Sequence, residues 1–77
     1  MKDKLSQYLG IDKEVITKLM MIGLIDPRTA NAFIIYNEYK EERAKDDKVS
    51  DRYIHTELAI KHNVSPSAIY KWCQMFN

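Results

Sequence analysis

The sequence predicts an all-α fold, a small orthogonal bundle of about four helices. Three observations carry this. One helix-start signal recurs four times, apolar residues recur at the three- and four-residue spacing of buried helix faces, and strand signals are absent. The start signal is an apolar residue, then Asp or Ser, then a helical run with a second apolar residue five positions after the first. It occurs as Ile11/Asp12/Ile16, Ile25/Asp26/Ala30, Val49/Ser50/Ile54 and Val64/Ser65/Ile69. Asp and Ser cap helices because their side-chain oxygens accept a hydrogen bond from an otherwise unpaired N–H of the first turn. The flanking apolar pair has the spacing of a hydrophobic staple, weakest in the second case, where Ala30 is small.

The elements follow in order. A short turn of helix is expected at 2–9, closed by Gly10, and a helix at 13–22, closed by Gly23, since glycine readily takes the left-handed conformation that ends a helix. The next helix, 27–45, opens with Pro27 at the first helical position, where the missing N–H costs nothing. Its first half is apolar, with Ala30, Ala32, Phe33, Ile34, Ile35, Tyr36 and Tyr39, and is expected to be surrounded by other helices. Its second half, EYKEERAK, reads as a solvated face supported by a Glu41–Lys45 pair. The following KDDK stretch reads as a mobile, solvated loop. Helices at 51–62 and 66–76 complete the chain, the last again opening on a proline, Pro66.

Seventy-seven residues suffice for one domain around one core and are too few for two. Within it, residues 1–48 form an N-terminal helical extension suited to dimerisation, and 49–77 a terminal helical pair. The single cysteine, Cys73, excludes an internal disulfide, so packing alone must stabilise the fold. No stretch approaches the roughly 20 apolar residues that span a bilayer, and the start MKDKLSQYLG lacks a secretion signal, so the expected location is cytoplasmic. The net charge of +1 decides nothing about partners, but its distribution does. Glu57 is the last acidic residue, and Lys61, His62 and Lys71 follow it, so the C-terminal end is the side open to an anion.

In the terminal pair, a tight turn between steeply crossing helices needs a small contact residue, a residue tolerant of positive φ, and apolar anchors on both sides. Ala59 is the small contact, Asn63 tolerates the left-handed conformation, Val64 plugs the turn, and Ile69 and Trp72 anchor the last helix. Ile54 and Leu58 face the same core. The string ELAIKHNVSPSAIYKW resembles the helix-turn-helix of bacterial and phage regulators, resolvases and transposases, of homeodomain-like type. It departs from that pattern at Asn63, where glycine is usual, and at His62, where an apolar residue is usual.

This resemblance implies double-stranded DNA as partner, with the last helix in the major groove and the preceding helix across the phosphate backbone. Ile69, Trp72, Cys73 and Phe76 share the inward face by i, i+3, i+4, i+7 spacing. Ser67, Ala68, Tyr70, Lys71 and Gln74 then face outward, where Gln74 suits adenine, Lys71 a guanine edge or a phosphate, and the hydroxyls either backbone or base. Ser65 and the N–H groups near Ser67 offer a phosphate site, and Arg52, Lys61 and His55 backbone contacts.

Other chemistries find little footing. His55, His62 and Cys73 fall short of the four ligands of a zinc site, so no metal or other cofactor is expected. Trp72 reads as a buried anchor rather than a base-stacking platform, and Cys73 as an inert buried thiol. No Gly-rich phosphate loop, nucleophile elbow or converging acid pair suggests an enzyme. The competing expectation is a helical protein-interaction module without direct DNA binding, because two lysines are few for an independent DNA binder. A homodimer or larger DNA-bound complex is compatible with either, through the apolar runs LMMIGLI at 19–25 and FIIY at 33–36.

Overall fold

The computed structural model describes residues 1–77 and is entirely helical, with no strand. Five helices follow in order: α1 Lys2–Leu9, α2 Lys13–Met21, α3 Pro27–Lys45, α4 Asp51–His62 and α5 Pro66–Phe76. The segment expected as a short turn of helix at 2–9 is thus a full helix, which brings the number of helices to five. No helix is long and apolar enough to cross a membrane. The chain divides into two compact units, Met1–Ile34 and Ile35–Asn77, so the boundary falls inside α3 and each unit has its own apolar cluster where chain length suggested one core.

In the first unit, Leu5, Ile16, Ala30 and Ile34 are buried, with Tyr8, Ile11, Met20, Ile25 and Phe33 packed against them. In the second, Ile35, Ile54, Leu58, Ala59 and Ile69 are buried, with Tyr39, Val49, Val64, Trp72 and Cys73 around them. The four stapled pairs each fall within one of these clusters, so every helix start is also a core contact. Trp72 is only half-buried, whereas Ile69 is wholly inaccessible. The anchor of α5 is therefore Ile69, and Trp72 covers the edge of the cluster.

The caps divide by residue type. Ser50 Oγ accepts from the Tyr53 N–H at 3.1 Å and Ser65 Oγ from the Ala68 N–H at 3.1 Å. Asp26 receives longer bonds, 3.4 Å each, from the Arg28 N–H and the Thr29 hydroxyl, and Asp12 makes no side-chain cap at all. At the C-terminal ends, two helices close with the paired bonds of a Schellman motif. After α2, the Gly23 N–H reaches Met20 O and the Leu24 N–H reaches Leu19 O, at 3.1 and 2.9 Å, with Gly23 at φ 81°. After α4, the Asn63 N–H reaches Ile60 O at 3.4 Å and the Val64 N–H reaches Ala59 O at 3.0 Å, with Asn63 left-handed at φ 54° and ψ 49°.

Asn63 therefore holds a conformation that β-branched residues avoid. Asn63→Gly should leave stability within a few tenths of a kcal/mol of the parent, while Asn63→Val should cost about 1–3 kcal/mol. Urea melts of the three proteins check this; equal midpoints for the Gly and Val variants would mean that the turn does not need a left-handed residue.

The charged half of α3 is exposed at Lys40, Glu41, Glu42, Ala44 and Lys45, as its composition suggests, but Glu38 and Arg43 turn inward to partners. Glu38 lies buried at 8% exposure. Arg43 donates to Asp51 Oδ1 at 2.6 Å, to the Asp46 carbonyl at 3.2 Å and to the Val49 carbonyl, which ties both ends of the 46–50 loop to the helix. The Asp46 carboxylate also accepts from the Lys48 N–H at 2.9 Å, and Asp46, Asp47 and Lys48 are exposed, as the solvated-loop reading expects. The ion pair on the outer face is Lys45–Glu42 rather than Glu41–Lys45.

Candidate nucleic-acid interface

The candidate surface is built on α5. Ile69 fixes that helix to the cluster of the second unit, and Trp72, Cys73 and Phe76 lie half-buried on the same side, Phe76 stacking on Tyr36 at 5.5 Å between ring centroids. Ser67, Tyr70, Lys71 and Gln74 consequently stand exposed on the opposite face. Ala68 is half-buried and, with Ser65, Ser67, Tyr70 and Lys71, lines a shallow depression at the start of the helix. The Ser65 oxygen is already an acceptor for the helix cap, so Ser65 and Ala68 frame the surface, and the groups left free to reach outward are Ser67, Tyr70, Lys71 and Gln74.

The start of α4 joins this surface. Asp51, Arg52, Thr56, Pro66 and Tyr70 line one depression, with the buried His55 beneath it. The Thr56 hydroxyl donates to the Arg52 carbonyl at 2.8 Å, and the Arg52 side chain carries no ion pair. The Asp51 carboxylate is occupied by Arg43 and by the Tyr39 hydroxyl at 3.0 Å, which hold it below the usual carboxylate range, Arg43 contributing most. Arg52 and Lys71 are thus the two cations on this surface without a carboxylate partner.

Two residues expected at the interface lie elsewhere. His55 is only 9% exposed, with Tyr39 at 5.2 Å and Tyr70 edge-on at 6.2 Å between ring centroids, so it supports Tyr70 from beneath and cannot meet a phosphate itself. Its ring Nε2 lies 4.0 Å from Cys73 Sγ, and burial pushes the Cys73 thiol up from its ordinary pKa, the state of a protonated, unreactive sulfur. No group of three metal-ligating side chains converges anywhere in the chain. Lys61 lies in the groove between α3 and α4, where its Nζ binds Glu38 Oε1 at 3.2 Å. The placement expected from α4 put Lys61 with Arg52, but nine residues along a helix turn the side chain toward α3 instead.

Glu38 is the residue that composition hid. It takes Lys61 on one carboxylate oxygen and the His62 Nε2–H on the other; a carboxylate only accepts, so Nε2 carries the proton. His62 therefore fills its usually apolar position as a half-buried, hydrogen-bonded ring. The signal was available in the spacing: Glu38 falls three and four residues after Ile35 and Ile34, on the buried stripe of α3.

Comparison with protein-family models, with curated proteins and with solved structures gives no match.

Proposed function

We propose that residues 35–77 form a DNA-binding helix-turn-helix domain whose helix α5 enters the major groove, in a transcriptional regulator or a DNA-binding protein of a mobile element or phage. The observation that carries this reading is the outward face of α5. Ser67, Tyr70, Lys71 and Gln74 are polar, exposed and free of carboxylates, on a helix fixed through Ile69, capped by Ser65 and preceded by a left-handed turn at Asn63. Tyr70, Lys71 and Gln74 reach base edges, while Ser67 and Arg52 meet the phosphate backbone on either side.

Two free cations limit the electrostatic part of binding. The slope of log affinity against log salt should be about −2 per chain, since each neutralised phosphate contributes roughly −0.9. In a fluorescence titration against mixed-sequence duplex at two salt concentrations, Lys71→Ala should weaken binding about tenfold, equivalent to ~1.4 kcal/mol. Arg52→Ala should weaken it evenly across sequences, and Lys61→Ala should leave it unchanged because Glu38 already holds that cation. A folded protein with no salt-dependent binding at low ionic strength, and with Lys71→Ala and Gln74→Ala indistinguishable from the parent, would abandon DNA. The shortage of cations favours a second reading in that event, in which the same face docks a protein partner.

A further inference from the structure

Two surfaces remain unexplained by the fold or by DNA binding, and their chemistry is complementary. The first is an apolar knob at the end of α2, where Met21, Ile22 and Leu24 are 80%, 69% and 72% exposed. Three adjacent large apolar side chains in water form a contiguous patch rather than scattered exposure. The knob is held rather than loose. The Ile22 N–H bonds to Lys18 O, the Leu24 and Ile25 N–H groups both bond to Leu19 O, and Gly23 supplies the left-handed bend. Its flanking cations are Lys18, one helical turn before Met21 and Ile22, and Arg28; both are exposed and without ion pairs. The intervening Asp26 is turned onto the Arg28 N–H and the Thr29 hydroxyl.

The second surface is the groove between α3 and α4. Val49, Ile54 and Leu58 make its apolar floor, and the 58%-exposed Tyr53 forms one wall. Its rim carries charges of both signs, but Lys45 is paired with Glu42 and Lys61 with Glu38. Asp46 and Glu57 are left without a cationic partner, so the groove presents net negative charge around an apolar floor.

We propose that the chain associates with itself head to tail, the Met21–Ile22–Leu24 knob of one copy seating in the α3–α4 groove of the next. Apolar area is removed from water on both sides, and Lys18 and Arg28 meet Asp46 and Glu57. A knob-to-knob contact would instead bring Lys18 and Arg28 of one copy against the same residues of the other, a like-charge arrangement that disfavours association. Because the helix-end hydrogen bonds already fix the knob, little ordering cost is added on docking. The contact joins unlike patches, so association either closes into a ring, a reciprocal pair being the smallest, or continues as an open chain. Neither surface includes the outward residues of α5, Ser67, Tyr70, Lys71 and Gln74.

Sedimentation of the full chain over a concentration series tests it with two complementary variants, both confined to exposed positions. Leu24→Glu disables the knob, and Tyr53→Lys with Glu57→Lys disables the groove. The parent should grow in mass with concentration, and each variant alone should self-associate at least about tenfold more weakly. An equimolar mixture of the two should form a one-to-one dimer that grows no further, because it retains one working knob and one working groove. Circular dichroism melts of each variant establish that it is folded, with Met21→Glu and Glu57→Lys alone as the reserve pair. A parent that stays monomeric to the highest concentration, a parent that stops at a dimer sensitive to Leu24→Glu but not to the groove variant, or a mixture that fails to pair would each overturn the proposal.

Discussion

Ile69→Ala is expected to destabilise the second unit by about 2–5 kcal/mol, the largest effect of any single truncation on the candidate interface. Ile69 is completely inaccessible and belongs to the buried cluster of the second unit with Ile35, Ile54, Leu58 and Ala59. Removing its outer carbons forfeits their transfer from water and leaves a void that helices tied by the Asn63 turn and the Ser65 cap can close only in part. Trp72→Ala removes more atoms but from a half-buried position, so its cost should be the smaller of the two. Thermal melts followed by circular dichroism give the order directly. A larger loss for Trp72→Ala would show that the tryptophan, and not the isoleucine, is the anchor of α5, and would turn the helix relative to the face assigned to DNA. Partial loss of structure would also abolish any binding by α5, so the affinity of this variant is informative only under conditions where it is folded.

Much of the local structure was legible in the sequence because it is encoded locally. A cap, its staple and a left-handed turn residue all lie within six positions of each other, and the predicted starts of α2 to α5 coincide with the observed ones. The outward face of α5 was legible for the same reason, since one helix periodicity assigns both faces once Ile69 is placed inside. The contents of α3 were less accessible. Glu38 and Arg43 sit in a run whose composition is that of solvent-facing helix, yet their partners lie eight or more residues away, at Asp51, Lys61 and His62. Such pairings depend on how α3 packs on α4, which no local pattern reports. Lys61 was misplaced for this reason, and His55 because its partners Tyr39 and Tyr70 come from two different helices. The division of the apolar residues into two clusters was likewise invisible, because α3 carries one uninterrupted apolar stretch across the boundary at Ile34 and Ile35.

Replacing Glu38 by Gln should lower stability by about 1–3 kcal/mol at neutral pH, and the deficit should shrink as the solution is acidified. Burial pushes the Glu38 carboxyl up, but the hydrogen bonds and charges of His62 and Lys61 outweigh it and hold the group below its ordinary value of 4.5. A carboxyl whose pKa is lower in the folded than in the unfolded state binds fewer protons when folded, so its contribution is complete above about 4.5 and is lost as pH falls through the folded value. Below that point parent and variant both present a neutral group to His62 and Lys61, and their difference should approach the small residue left by amide against acid. Other carboxylates with partners, Asp51 among them, destabilise both proteins equally on acidification, so the informative quantity is the difference between the two melting temperatures at each pH. For a domain of this size a deficit of about 1–3 kcal/mol corresponds to roughly 5–20 °C at neutral pH. A difference that stays constant from neutral pH to well below 4 would mean that the charge of Glu38 contributes nothing and that the variant acts through packing. A difference that closes in that window would establish the carboxylate as the tie that holds the end of α4, and with it the turn into α5, against α3.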